Sequence, residues 1–161
     1  MRKRSSYKKH THKADHVYGR VDTSRFINYL MRDGKKAAAE KVFYGAFDSI
    51  KNKTKKEAIE VFEEALKNAS PLVEVRSRRV GGANYQIPQD IEPNRQFFLA
   101  THWLIAAARK RKGKPMAEKL AEELISAAAG EGEAIKKKQD THRMAEANRA
   151  FASFLRRKKK K

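Results

Sequence analysis

The chain has 161 residues, of which 38 are lysine or arginine and 19 are aspartate or glutamate, so its net charge is +19 at pH 7. Solubility needs only about 2 to 8 units of net charge, and the excess indicates a polyanionic partner, either nucleic acid or an anionic membrane surface. The absence of cysteine excludes disulfides, zinc–thiolate sites and thiol catalysis, and no apolar run reaches the ~20 residues needed to span a bilayer.

Basic residues concentrate at both ends of the chain. Residues 1–20 contain seven lysines or arginines against one aspartate, and residues 156–161 are all basic. Segments this polar do not bury enough apolar surface to fold alone. We therefore predict a basic N-terminal arm at 1–20, a single helical domain at 21–155 and a polybasic tail at 156–161, with both ends becoming ordered only on a partner.

Apolar residues at spacings of three and four predict two helices in the first third of the chain. The first is capped by Thr23 or Ser24 and ends at Asp33-Gly34, and the second runs from about Lys35 to Lys51. Their apolar faces consist of Phe26, Ile27, Leu30 and Met31 on the first helix, and of Ala38, Val42, Phe43, Ala46, Phe47 and Ile50 on the second.

A capping box predicts where the third helix begins. In the sequence Thr54-Lys-Lys-Glu57, the threonine would accept a hydrogen bond from a first-turn amide while the glutamate reaches back to the cap. Pro71 ends this helix. Its buried face consists of Ala58, Phe62, Ala65, Leu66 and Ala69.

The period then changes to two, which predicts a β-hairpin at about residues 72–91. Val73 and Val75 form its apolar face on the first strand, and Ala83, Tyr85 and Ile87 form that of the second. The opposite face carries Glu74, Arg76 and Arg78. An isolated two-stranded hairpin is marginal in water, so we expect this arm to contact a partner.

Gly81-Gly82 supplies the tight turn of the hairpin, and Pro88 limits the length of the second strand. In this interpretation Tyr85 faces Val73 or Val75. It then either packs in the core or stacks on a base of a bound nucleic acid.

Three further helices follow the hairpin. Pro93 is the first residue of the fourth, Pro115 opens the fifth, which closes near Gly130, and the sixth runs from about Ala134 into the 150s. The apolar positions are Phe97, Leu99, Trp103, Leu104 and Ala108, then Leu120, Leu124, Ile125 and Ala128, then Ile135, Met144, Ala147, Phe151 and Phe154. The predicted fold is mainly α, a six-helix bundle with one β-hairpin protruding between helices three and four and flexible basic N- and C-terminal tails.

The histidines, carboxylates and glycines that could belong to a metal, catalytic or nucleotide site do not form such a site in the sequence pattern. His142 and Glu146, four residues apart, could ligate a metal, but no third ligand is placed nearby. The carboxylate pairs at 63–64 and 122–123 lie among lysines on helix surfaces, and Gly81-Gly82 precedes a strand rather than a phosphate-binding helix. We predict a protein that is not an enzyme and that has no metal or cofactor.

Several basic clusters in one small domain indicate a distributed contact with phosphates. Arginine in the hairpin favours bidentate phosphate contacts and stacking on bases. The alternatives are a sequence-nonspecific nucleic-acid-binding architectural protein, a membrane-surface protein recruited by its polybasic ends, and an enzyme acting on nucleic acid.

Four strings carry a family resemblance. Residues 73–88 closely resemble the hairpin of small-subunit ribosomal protein seven, in its bacterial and organellar form. Residues 30–36, residues 107–111 with 115–117, and residues 140–151 are also similar to that family, in the same order along the chain.

The resemblance implies a structural constituent of the small ribosomal subunit that binds the 3′ major domain of 16S-type rRNA and nucleates assembly of the subunit head. It implies a ribosome-bound protein of the cytoplasm or of an organelle, with small-subunit protein eleven and other head proteins as neighbours. The hairpin residues Arg76, Arg78, Arg79, Gly81 and Gly82 would lie near exit-site tRNA and mRNA. The residues implied to face rRNA are Arg2, Lys3, Arg4, Lys8, Lys9, Lys35, Lys36, Arg109, Lys110, Arg111, Lys112, Lys114, Met116, Lys136, Lys137, Lys138 and Arg143.

Overall fold

A computed structural model describes residues 11–153, and these residues form six α-helices, one two-stranded antiparallel sheet and a short 3-10 helix. The helices are α1 (Val21–Leu30), α2 (Lys36–Thr54), α3 (Ala58–Ala69), α4 (Pro93–Lys110), α5 (Met116–Ala128) and α6 (Glu133–Ala147). Strands β1 (Val73–Val80) and β2 (Ala83–Asp90) lie between α3 and α4, and the 3-10 helix spans Arg149–Ala152. This arrangement confirms the predicted mainly α fold with its hairpin between the third and fourth helices. The tail at 156–161 and the first ten residues of the predicted arm lie outside the described residues.

The chain divides into two compact units, one that ends at Glu40 and one that begins at Lys41. In the first unit, the carboxylate of buried Asp15 accepts hydrogen bonds from the backbone N–H groups of Val17 and Tyr18, at 3.3 and 3.1 Å. The backbone N–H of Asp15 donates to the carbonyl of Arg20 at 2.8 Å. These bonds close a turn immediately before α1. The predicted domain boundaries at residues 20 and 155 stay a prediction.

The second unit has an apolar core built around three phenylalanines. The ring centroid of Phe43 lies 4.3 Å from that of Phe47 and 5.7 Å from that of Phe62, which joins α2 to α3. Leu104 of α4 and Leu124 of α5 are fully buried as well. Burying each large apolar side chain stabilises the unit by about 1.5–3 kcal/mol, so the spacing of three and four in these helices determines which faces pack.

Both predicted helix caps are wrong. Helix α1 begins at Val21, and Thr23 and Ser24 are buried inside its first turn, where the Thr23 hydroxyl donates to the carbonyl of Arg20 at 3.0 Å. Thr54 is the last residue of α2, and its hydroxyl donates to the carbonyl of Ile50 at 2.8 Å. Threonine can satisfy a carbonyl four residues back as readily as it caps a new helix, so α2 runs on through the predicted cap.

The last helix is shorter than predicted. Helix α6 ends at Ala147, and the chain continues in the 3-10 helix instead of extending into the 150s. Its buried residues are Ala134, Ile135, Thr141 and Ala145. Met144 is 48% exposed and Ala147 is exposed, so these two do not belong to the apolar face. Ala38 on α2 is exposed too, and Phe154 lies outside the described residues.

In β1 the buried face is the opposite of the predicted one, whereas in β2 Ile87 is buried as predicted. Glu74 pairs with Gln89 and Arg76 with Ile87, and side chains of paired residues lie on the same face of a sheet. Ile87 is 1% exposed and Glu74 is 7% exposed, whereas Val75 is only half-buried. Alternation defines two faces but does not say which one packs against the protein.

Two details of the second strand follow from this register. Tyr85 pairs with Arg78 rather than facing the valines, and its ring centroid lies 5.2 Å from that of Phe151. Pro88 pairs with Val75 inside β2, which continues to Asp90, so the proline does not limit the strand. Both strands of a two-stranded sheet are edge strands, where a missing N–H is tolerated. Gly81 and Gly82 have φ values of 57° and 93°, as a two-residue hairpin turn requires.

Candidate nucleic-acid interface

The predicted basic clusters that fall on described residues lie in four places. In the first unit, Lys35 and Lys36 are exposed beside a turn in which Asp33 and Gly34 have φ values of 53° and 72°. Lys36 makes a 3.7 Å ion pair with Glu40 one helical turn along. Exposed pairs of this kind contribute little to stability, so both ammonium groups are available to a phosphate. Arg2, Lys3, Arg4, Lys8 and Lys9 lie outside the described residues.

The hairpin arginines have different surroundings. Arg76 donates from Nε to buried Glu74 at 2.6 Å, and Arg95 from the first turn of α4 donates to the other carboxylate oxygen at 3.1 Å. The amide of Gln89 adds a third hydrogen bond at 3.1 Å. Arg79, Gly81 and Gly82 are exposed at the tip. Arg76 therefore helps to hold Glu74 in place, but its side chain is 58% exposed and stays accessible to a partner, as does the tip.

The Glu74 carboxylate is held in its charged form. Burial raises the pKa of this group, but the hydrogen bonds and positive charges of Arg95 and Arg76 outweigh burial and leave the pKa below its usual value. The stability from this site is present above the ordinary glutamate pKa and is lost as pH falls through the lowered pKa.

We expect Glu74→Gln to destabilise the fold by about 1.5–3 kcal/mol, because two guanidinium groups lose a charged hydrogen-bond acceptor. Urea denaturation at neutral pH measures this. Arg79→Ala removes an exposed arginine from the same strand and should change stability by less than about 0.5 kcal/mol. A Glu74→Gln variant as stable as Arg79→Ala would contradict a structural role for Glu74.

The basic segment that begins in the last turn of α4 also contains both structural and exposed residues. Arg111 donates from Nε and Nη2 to one oxygen of buried Glu123, at 3.0 and 2.7 Å. Lys114 bonds to Glu122, and this bond holds the pKa of Lys114 above and that of Glu122 below its usual value. Arg109, Lys110 and Lys112 are exposed, and Met116 is the half-buried first residue of α5. Arg111 thus contributes to the fold, and its neighbours form the accessible positive surface.

The basic segment of α6 shows the same division. Lys138 donates from Nζ to the carbonyl of Asn68 at 2.7 Å, and burial lowers the pKa of its ammonium group. Lys136 and Lys137 are exposed and make no ion pair with any described residue. Arg143 is exposed, 3.9 Å from Asp140.

The structure brings two of the predicted clusters together in one groove between α4 and α6. The groove has a volume of about 340 Å³, and Lys110 from α4 lines it together with Lys136 and Lys137 from α6. Trp103 also lines the groove, although its spacing in the sequence predicted that it belongs to the apolar face of its helix. Its spacing to Lys110 is seven residues, or two helical turns, which is the only signal in the sequence for a shared surface.

His142 makes a hydrogen bond with the backbone. Its Nε2 accepts a hydrogen bond from the backbone N–H of Leu72 at 3.2 Å, and burial together with the charge of Lys138 lowers its pKa. Within residues 11–153, no three histidine, aspartate or glutamate side chains are grouped in a way that could hold a metal ion. Among the helices of the same residues, none has the length and apolar character needed to cross a membrane.

Comparison with known proteins gives one consistent result. The family model described as ribosomal protein S7p/S5e matches residues 1–149. Small ribosomal subunit protein uS7 of Thermotoga petrophila is 58% identical over 140 residues, which is 87% of this chain and 90% of the relative. The uS7 protein of Thermotoga maritima is 54% identical over 154 residues, covering 96% and 99%. That of Moorella thermoacetica is 55% identical over 141 residues, covering 88% and 90%.

Proposed function

Since the chain belongs to the ribosomal protein S7p/S5e family, and is thereby a structural, non-enzymatic component of the small ribosomal subunit, we propose that it binds the 3′ major domain of the rRNA and nucleates assembly of the subunit head. Its place in the cell is on the ribosome. RNA recognition is mainly by shape and charge, with little base reading by hydrogen bonds, because the grooves of folded rRNA offer phosphates and 2′-hydroxyls more readily than base edges.

The observation that carries this proposal is the separation of the basic residues into two groups. Arg76, Arg111 and Lys138 are each bound by a buried carboxylate or a backbone carbonyl. Other cations of the clusters are exposed and make no such hydrogen bond to a described residue, among them Lys35, Arg79, Lys112, Lys136 and Lys137. Within the second unit, a frame that presents exposed cations from several elements fixes the relative positions of the phosphates it binds, which suits a protein that organises an RNA junction.

The hairpin supports the second part of the proposal, in which the arm lies near exit-site tRNA and mRNA. Its base is fixed to α4 through Glu74 and Arg95. Its tip carries exposed Arg79 beside the Gly81-Gly82 turn, where the absence of side chains allows a close approach to an RNA backbone. Small-subunit protein eleven and other head proteins are the proposed protein neighbours.

Binding of the full chain to an isolated 3′-major-domain rRNA fragment tests the proposed function. We expect a complex that an excess of scrambled RNA of equal length does not displace, and co-sedimentation of the protein with small subunits. Equal competition by the scrambled RNA, or by duplex DNA, would favour the alternative of a sequence-nonspecific architectural protein, which the net charge of +19 also suits.

A further inference from the structure

The groove between α4 and α6 has two unlike walls. The α4 wall is a single stripe two turns long, made of Trp103, Ala106, Ala107 and Lys110. The α6 wall is a stripe with the same spacing, and all of its residues are charged: Glu133, Lys136, Lys137 and Asp140. The groove therefore offers one aromatic surface with a small alanine floor on one side, and two lysines flanked by two carboxylates on the other.

From this geometry we infer that the groove is a subsite for one unstacked nucleotide of single-stranded RNA, with its base against Trp103 and its flanking phosphates on Lys110, Lys136 and Lys137. The inference rests on the proposed function, since it assigns part of the RNA-binding surface. A volume of about 340 Å³ accommodates a base and its ribose. Trp103 is half-buried and provides the aromatic platform on which unpaired bases stack in single-strand binding proteins.

The charges of the groove determine how the nucleotide is oriented. Lys136 and Lys137 are exposed and have no carboxylate partner among the described residues, and Lys110 is 3.5 Å from Glu133 in a solvent-exposed pair. A phosphate can replace so weak a partner. Asp140 repels phosphate, but its carboxylate accepts hydrogen bonds from an exocyclic amino group. The subsite therefore prefers a base that carries an amino group, such as cytosine, over uracil.

An acidic peptide is the competing occupant, because three lysines would attract it as well. A peptide helix docks through apolar anchors at helical spacing, and the α6 wall supplies none. The observations thus favour a nucleotide, which combines negative charge with a flat aromatic ring.

Trp103 is the only tryptophan in the chain, so its fluorescence reports directly on the groove. The full chain is titrated at low salt with hexacytidylate, hexauridylate and hexaglutamate. We expect saturable quenching by hexacytidylate, weaker binding of hexauridylate, and no quenching by hexaglutamate. Asp140→Ala should remove the preference for cytidylate. Unchanged fluorescence with both RNAs, equal affinities for them, or an equal response to hexaglutamate would overturn the inference.

Variants of the groove are then compared on the rRNA fragment. Trp103→Ala should weaken binding about 10-fold or more, and Trp103→Phe, which keeps an aromatic ring, should restore most of the affinity. Lys136→Ala with Lys137→Ala should weaken binding more than Lys56→Ala with Lys67→Ala, a charge-matched pair of exposed lysines outside the groove. Thermal melting of each variant controls for folding.

Different results contradict the proposed function and the proposed subsite. A wild-type protein that does not prefer the rRNA fragment over scrambled RNA contradicts the proposed function. A wild-type protein that binds the fragment specifically, while the groove variants bind like the Lys56 and Lys67 control, leaves the proposed function standing and overturns the subsite.

Discussion

The affinity of the protein for the 3′-major-domain fragment is expected to fall about 10⁴-fold when monovalent salt rises from about 50 to about 200 mM. Each phosphate that a lysine or arginine neutralises releases condensed counterions into solution. If about 8 phosphates are bound, log K falls against log salt with a slope near −7, taking the coefficient for a regular duplex. The exposed cations at the hairpin tip, after α4 and on α6 are numerous enough for such a contact.

Two pairs of variants show whether the contact with phosphates is distributed over several basic clusters. Lys35→Ala and Lys112→Ala remove exposed lysines from two different clusters, and each should make the slope shallower by about 1. Lys56→Ala and Lys67→Ala remove exposed lysines outside the proposed surface and should leave the slope unchanged. A wild-type slope shallower than about −2 would mean that only a few cations meet phosphate, contrary to the proposed interface.

The second large effect is expected at Arg111. Replacing it with alanine should destabilise the protein by about 3–5 kcal/mol, because Glu123 is 1% exposed and would be left buried without its cation. The other Glu123 oxygen accepts a hydrogen bond from the backbone N–H of Ala134 at 3.3 Å, in the first turn of α6. This one carboxylate therefore joins the end of α4, the middle of α5 and the start of α6.

Gly132 shows how closely the chain packs on that carboxylate. Its φ is +99°, and a Cβ added there would lie 2.9 Å from Oε1 of Glu123. Only glycine fits both the backbone conformation and the space.

Urea or thermal denaturation of Arg111→Ala beside Lys112→Ala measures the effect. The Lys112 variant removes an adjacent exposed charge and should stay within about 0.5 kcal/mol of the wild type. The double variant Arg111→Met, Glu123→Leu should recover most of the lost stability, because apolar residues of similar volume often replace a buried ion pair without loss. A single Arg111→Ala variant as stable as Lys112→Ala would show that Arg111 has no structural role and would return it to the proposed RNA surface.

The sequence alone correctly predicted those elements that depend on a few neighbouring residues. The spacing of Ala58, Phe62 and Leu66 predicted the buried face of α3, and all three are buried. Gly81-Gly82 identified the hairpin turn, and Pro93 marked the first residue of α4. Each of these signals depends on backbone geometry or helical period within a few residues, so neighbouring residues alone carry the information.

The sequence could not determine which strand face, which threonine or which cation would be buried. The alternating pattern predicts that Glu74 faces solvent. In the structure Glu74 is bound by Arg95, which lies 21 residues later in the sequence. Thr54 fits a capping box, yet it ends the preceding helix because its hydroxyl reaches the Ile50 carbonyl. In both cases two local solutions are nearly equal in free energy, and packing elsewhere in the chain selects one.

For the candidate interface, too, the sequence determined some properties and the tertiary structure determined others. Composition and charge clustering alone determined that the partner is a polyanion, since net charge is a sum over residues and does not depend on the fold. Tertiary structure decided which cations serve the fold, as Arg111 and Lys138 do, and which remain exposed, as Lys136 and Lys137 do. It alone placed Trp103 beside those lysines, because a groove between two helices forms only when residues that are distant in sequence pack side by side.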